Sequence, residues 1–161
     1  MTFLQHYLPW QATETNQHQS FGLQFSANGN TELLQWLAGL DIDRTSGKLL
    51  EDQAEFFSPN QPDGVHYYYQ VDANTVAVFG NLRFSLKDRW SIDTGLRFED
   101  TSFNYDNLTS DGSACSLSAS ACRFYRPPDS HNDFSDWSGN LALGHYVNNM
   151  HIYGRAARGF R

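Results

Sequence analysis

The sequence has no run of about 18 apolar residues, so no helix in it can cross a bilayer. Positive charge is scarce: 11 Lys and Arg stand against 18 Asp and Glu, a net charge of −7. Nucleic acid wants a basic face, so no nucleic-acid partner is expected. There are only two cysteines, no second Cys pair, and six histidines without metal-ligand spacing, which leaves zinc a poor choice. No G-x-S-x-G, H-E-x-x-H or phosphate-binding glycine loop occurs. Neither an enzyme nor a bound cofactor is expected. The opening MTFLQHYLPWQATETNQ has no basic segment, apolar segment or small-residue cleavage site, and so is not a signal peptide.

What is present is alternation. The hydrophobic fraction is 40% across 161 residues, enough for a folded chain rather than wholesale disorder. From Asn74 to Asp100 two arms flank Lys87-Asp88-Arg89. On the first arm Val76, Val78, Gly80, Leu82, Phe84 and Leu86 alternate with Ala77, Phe79, Asn81, Arg83 and Ser85. On the second, Trp90, Ile92, Thr94, Leu96 and Phe98 alternate with Ser91, Asp93, Gly95, Arg97 and Glu99. Successive strand residues point to opposite faces, so each arm has one uncharged face and one that carries every charge. At ~3.3 Å per residue and a tilt near 45°, the first arm covers about 25 Å, the height of a membrane barrel's apolar band. The pattern predicts a hairpin with Val76, Val78, Leu82, Phe84, Leu86, Trp90, Ile92, Leu96 and Phe98 towards lipid. Arg83, Asp93, Arg97 and Glu99 then point into a polar lumen.

The rest of the chain follows the same plan. Residues 1–17 read as loop with a possible short strand before Pro9, and residues 18–161 as a partial outer-membrane β-barrel. Strands are expected near 18–26, 32–43, 65–86, 90–105, 134–146 and 150–161, with long loops at 44–64 and 106–133. Ala27-Asn28-Gly29-Asn30 has turn composition. Segment 32–43 also fits a helical period at Leu33, Leu34 and Leu37, but alternation persists to Ile42 and favours strand. Residues 150–161 show no clear choice of face. Connections run short, long, short, long, short, so antiparallel strands collect every short turn at one end, as outer-membrane barrels do. The fold class expected is all-β: an antiparallel meander of about six long strands, an open segment of a transmembrane β-barrel. Such a protein must be exported, so the chain is expected to be a piece of something longer.

Three segments carry a resemblance. Trp36-Leu37-Ala38-Gly39-Leu40-Asp41, the strand WSIDTGLRFE from Trp90 to Glu99, and the terminal YGRAARGFR from Tyr153 to Arg161 occur in the order and rough spacing of one family. They resemble the barrel of TonB-dependent outer-membrane receptors, over roughly Gln17 to Arg161. The resemblance implies a plugged barrel of roughly 22 strands. Its partners would be outer-membrane lipid, a plug domain, TonB, and a scarce solute such as a ferric siderophore. Six strands are a fraction of that, and transport is not expected of this chain alone.

Several residues have two readings at this stage. Cys115 and Cys122 form a local disulfide if the chain is exported, or two free thiols if it is cytosolic. Arg83, Asp93, Arg97 and Glu99 line a solute path, or pair with each other or with a plug, since buried charges need partners. Trp90 and Tyr67, Tyr68 and Tyr69 fit two aromatic girdles, or ordinary strand packing. Asp41 and Asp43, with Glu51 and Asp52 nearby in sequence, suggest calcium, but no loop with a Gly pivot and bidentate Glu is present. Asn107-Leu108-Thr109 matches a glycosylation sequon, a pattern frequent by chance. Solute capture is assigned to the 44–64 and 106–133 loops. The alternative is a soluble β-sandwich binding module, for carbohydrate or protein, with its uncharged faces packed together.

Overall fold

The computed structural model describes residues 2–3, 11–86, 89–115 and 122–159. The strands are β1 (Thr2–Phe3), β2 (Thr13–Asn30), β3 (Leu34–Gln53), β4 (Gly64–Leu86), β5 (Trp90–Asn107), β6 (Gly112–Ser113), β7 (Tyr125–Arg126), β8 (Ser130–Val147) and β9 (Met150–Arg158). One sheet runs β1-β2-β3-β4-β5-β8-β9, and β6 pairs with β7 in a separate two-stranded sheet. Six of its strands are long and form an antiparallel meander in chain order. No helix is present among the described residues.

The strands outrun their sequence signal. β2 begins at Thr13, inside the stretch read as loop, and continues through the Asn28-Gly29 pair read as a turn. The turn lies instead at residues 31–33, where the Thr31 N–H donates to the Leu34 carbonyl (2.7 Å) and the Leu34 N–H to the Thr31 hydroxyl (3.0 Å). Gly29 lies in the strand beneath the Trp36 indole, where a β-carbon would stand 2.6 Å from its Nε1. β3 persists to Gln53, which shortens the 44–64 loop to residues 54–63. The 106–133 loop shrinks to 108–129 and contains β6 and β7. In both cases polar composition reads as loop, yet ladder hydrogen bonds continue, because a polar strand satisfies its backbone as well as an apolar one does. The short strand suggested before Pro9 is β1, Thr2–Phe3, which pairs antiparallel with the start of β2; the Lys87-Asp88 pair of the central turn and the final Phe160-Arg161 lie outside the described residues.

The chain divides into two compact units, and the long strands contribute to both. One comprises Gly22–Asp43, Asn74–Thr101 and Asp133–Arg161. In it, large apolar side chains of one parity are exposed, including Leu23, Phe25, Trp36, Val76, Val78, Leu82, Leu86, Trp90, Phe98 and Leu143; Leu96 is 60% accessible and Leu141 56%. Phe84 and Ile92 are half-buried. Among the described residues only Ala77 and Phe124 are buried hydrophobics. A sandwich needs its uncharged faces closed against a second sheet. Here they are left open, which removes the packing that the sandwich alternative requires.

The β8–β9 register sets the faces of the last strand, which the sequence leaves open. Leu143 pairs with Gly154, Leu141 with Ala156 and His145 with Ile152, so Met150, Ile152, Gly154 and Ala156 join the apolar side. His151, Tyr153, Arg155 and Ala157 take the opposite side. Asn148 closes this hairpin at φ 53°, a left-handed conformation that Asn tolerates.

The other unit comprises Met1–Phe21, Arg44–Ala73 and Ser102–Asn132. Its strands mix polar residues with tyrosines and with apolar side chains such as Val65 and Phe103, both exposed. Its best-buried side chains are His66 and Gln53, fully enclosed and both hydrogen-bonded.

Candidate functional site: the charged sheet face and the long loops

On the charged face of the first unit the four residues singled out are distributed over two ion pairs. Arg83 Nε bonds Asp93 Oδ1 across the β4–β5 hairpin. Arg97 bonds Glu99 Oε2 through Nε (3.1 Å) and Nη2 (2.9 Å). Its remaining nitrogen Nη1 bonds Asp41 Oδ2 on β3, reaching past β4. The guanidinium passes over the Phe79 ring, 5.9 Å from its centroid. Phe79 in turn lies on Gly39, where a β-carbon would meet the ring at 2.3 Å and the Phe25 carbonyl at 2.8 Å. Asp41 also accepts from Gln24 Nε2 (2.8 Å), which extends the network to β2. The carboxylate considered for calcium is thus occupied by a cation and an amide. Among the described residues no group of three or more His, Cys, Asp or Glu side chains is arranged to hold a metal ion.

Two clefts open on this face. One, of about 660 Å³, is lined by Asn28, Gln35, Asn81, Arg83, Asp93, Asn140 and Arg155 among others. The second, of about 480 Å³, is lined by Gln24, Asp41, Arg97, Ser138, Asn140, Arg155 and Arg158 among others. Arg155 borders both, and sequence reasoning missed it because the faces of its strand were ambiguous. Asn81 and Asn140 approach each other over Gly95, whose β-carbon would stand 2.4 Å from Asn81 Oδ1 and 2.8 Å from Asn140 Nδ2. Polar amides, the Arg83–Asp93 pair, the Asp41–Arg97–Glu99 triad and a bordering arginine suit a wall that contacts water or a polar surface.

Arg158 is a different case. Register places its backbone opposite Gly139, in the parity of the apolar side, although its side chain also borders the second cleft. Its guanidinium lies 4.0 Å from the Trp137 ring centroid and donates to Asp136 Oδ1 (2.9 Å). A long stem along an aromatic face with the charge carried to a polar partner is how arginine is accommodated at an apolar boundary.

In the second unit Tyr69 and Tyr105 pack with ring centroids 5.2 Å apart. Burial, then the neighbouring carboxylates, raises the Tyr69 hydroxyl above the usual tyrosine value, and burial does the same for Tyr105. Tyr67 meets Phe124 edge-on at 5.9 Å and Tyr68 carries the Lys48 ammonium 4.6 Å from its centroid. The three tyrosines therefore serve three different contacts. Asp72 is held below the ordinary carboxylate range by a hydrogen bond from Ser46, then one from Gln70. Asn107 is used internally: its Oδ1 accepts from Thr109 N (3.1 Å) and Oγ1 (2.7 Å), and its Nδ2 donates to Asp111 (2.9 Å).

Cys115 and Cys122 are joined by a disulfide with Cα atoms 5.6 Å apart and a sequence separation of 7. For a loop this short, the chain-entropy account gives about 2–3 kcal/mol. Both ends lie in the 108–129 connection, so the double change to serine is expected to loosen that connection alone. Proteolysis after Arg123 should rise while the unfolding midpoint of the sheet stays put. A matching drop in the midpoint would show that the disulfide supports the sheet as well.

At the level of known proteins, a family described as TonB dependent receptor-like, beta-barrel matches residues 2–161. No curated protein matches by sequence. Among solved structures the chain is similar to the ferric yersiniabactin uptake receptor FyuA of Yersinia pestis, with a TM-score of 0.62 at 19% identity. That alignment covers 89% of this chain and 21% of the receptor, so the chain spans about a fifth of the length of the protein it resembles.

Proposed function

Since the chain belongs to the TonB-dependent receptor-like β-barrel family, we propose that it is a wall segment of an outer-membrane uptake receptor. The observation that carries this reading is the open apolar face of Gly22–Asp43, Asn74–Thr101 and Asp133–Arg161, opposite a face on which Arg83, Asp93, Arg97 and Glu99 are ion-paired. Lipid is the solvent that suits such a face, because soluble monomers rarely expose apolar patches beyond a few hundred Å². In this reading Val76, Val78, Leu82, Phe84, Leu86, Trp90, Ile92, Leu96 and Phe98 meet hydrocarbon. Arg83, Asp93, Arg97 and Glu99 look into the lumen. There the two clefts and Arg155 face a plug domain.

The intact receptor takes up a scarce solute such as a ferric siderophore, using TonB as its energy link. The likeness to a ferric yersiniabactin receptor supports that class of solute. Capture is assigned to the loops at 54–63 and 108–129, with the tyrosine-rich strand ends beneath them. Iron-labelled catecholate, hydroxamate and phenolate siderophores, offered to cells carrying the intact receptor, test the assignment. Accumulation of one of them is expected, and it should vanish in cells lacking TonB. Equal accumulation with and without TonB would refute the reading.

A further inference from the structure

Tyr146, His151 and Tyr153 form a column of rings on the charged face of the β8–β9 hairpin. Tyr146 and His151 are cross-strand partners whose rings stack at 4.3 Å and 20°, and His151 meets Tyr153 at 5.8 Å and 22°. The middle ring is held in place: it lies over Gly144, where a β-carbon would stand 2.4 Å from His151 Nε2. Tyr153 closes the column and is 68% accessible. His151 stands on one side of it and Arg155 on the other, each two residues away on the same face. Such a spacing on a strand is about 6.7 Å, which leaves room for one flat group against the free side of the ring. Opposite Arg155 stands only Ala142, and both line the cleft of about 660 Å³, with Asn140 beside them.

Charge singles out Arg155. Asp93 is held by Arg83, Asp41 and Glu99 by Arg97, and Asp136 by Arg158. Among the described residues Arg155 takes part in no ion pair. An exposed phenol ring asks for a flat partner, and an unpaired guanidinium beside it asks for an anion. We propose that Tyr153 and Arg155 form a binding site for a planar aromatic anion, a flat ring that carries a carboxylate or phenolate. The ring lies on Tyr153 and turns its anionic oxygens to Arg155, within reach of the cleft that Asn140 lines. The cation near the ring faces adds to the attraction. The inference rests on reading this face as the wall of an uptake path, and it narrows the solute to one that bears such a group. It uses none of the loop residues to which capture is assigned.

Salicylate is the probe, titrated onto the intact receptor in detergent and followed by saturation-transfer NMR. Saturable binding is expected. Tyr153→Ala removes the platform and Arg155→Gln the charge, and each should weaken binding about tenfold, the scale of one stacked ring or one charge-assisted bond. Tyr153→Phe keeps the ring and should bind like the unmodified receptor. Both side chains are exposed, so the urea midpoint should hold in all three variants. Cyclohexanecarboxylate, charged but not flat, should compete poorly. No saturable binding, or equal binding to Tyr153→Ala, Arg155→Gln and the unmodified receptor, would overturn the proposal. Iron uptake reads the wider assignment separately. TonB-dependent accumulation by a receptor that ignores salicylate sinks the site alone. Salicylate binding without such accumulation sinks the uptake reading and leaves the site standing.

Discussion

Leu82→Arg in the intact receptor should abolish insertion into lipid vesicles, while Asn81→Arg should insert almost as well as the unmodified protein. The two positions are neighbours on β4 and differ in the face they present. Leu82 lies on the open apolar side with Val78 and Leu86, 39% accessible in the chain itself. Asn81 borders both clefts of the opposite side, beside Arg83. A cation at the middle of the bilayer costs about 2–4 kcal/mol on the lipid side of a barrel. That is enough to reverse an insertion equilibrium of a few kcal/mol. The same cation in a water-filled lumen has its hydration and costs little. Folded fraction after mixing with vesicles, read on a urea titration, gives both values in one experiment. Equal insertion of the two variants would mean that the faces are assigned wrongly.

Gly39→Ala should be the most damaging single-methyl change in the sheet. Its β-carbon would press on the Phe79 ring, which can tilt, and on the Phe25 carbonyl oxygen, which belongs to the adjacent strand and cannot. Overpacking of this kind costs about 1–3 kcal/mol. The damage also spreads, because Phe79 supports Arg97 on its way to Asp41. Displacing the ring disturbs the Arg97–Asp41 ion pair, which reaches from β5 to β3. Gly80→Ala is the matched control: its β-carbon would meet only the Leu37 carbonyl, at a comfortable 3.8 Å. Urea midpoints in vesicles should drop clearly for the first and hardly at all for the second. Equal midpoints would show that Phe79 adapts without cost.

The sheet was legible in the sequence where one face is apolar. From Val76 to Phe98 the period of two is unbroken, and the hairpin follows from it. Where both faces turn polar, as in β3 beyond Arg44 and β2 before His18, alternation of hydrophobicity vanishes although the ladder does not, and strand was mistaken for loop. The charged residues of the hairpin were found for the same reason, since charge confined to one parity is a local pattern. Pairing among the four was one of the readings, and Arg83–Asp93 and Arg97–Glu99 form; the partner outside the hairpin was not found. Asp41 and Arg97 are 56 positions apart, and nothing in the spacing joins them. His66 was missed because a single histidine at a strand end carries no periodic signal; its character comes from Pro62, Glu51 and Phe124, brought together only by the fold.

Arg158, laid along Trp137 and tied to Asp136, has a consequence for how deeply the wall sits. Sinking the sheet would drag that guanidinium away from the headgroups; lifting it would strand the indole in water. If the wall sits in lipid as proposed, the pair works as a float line that fixes its vertical position. Replacing the arginine by leucine would free the wall to ride lower in a thick bilayer, and its tilt would then follow the lipid instead of the protein.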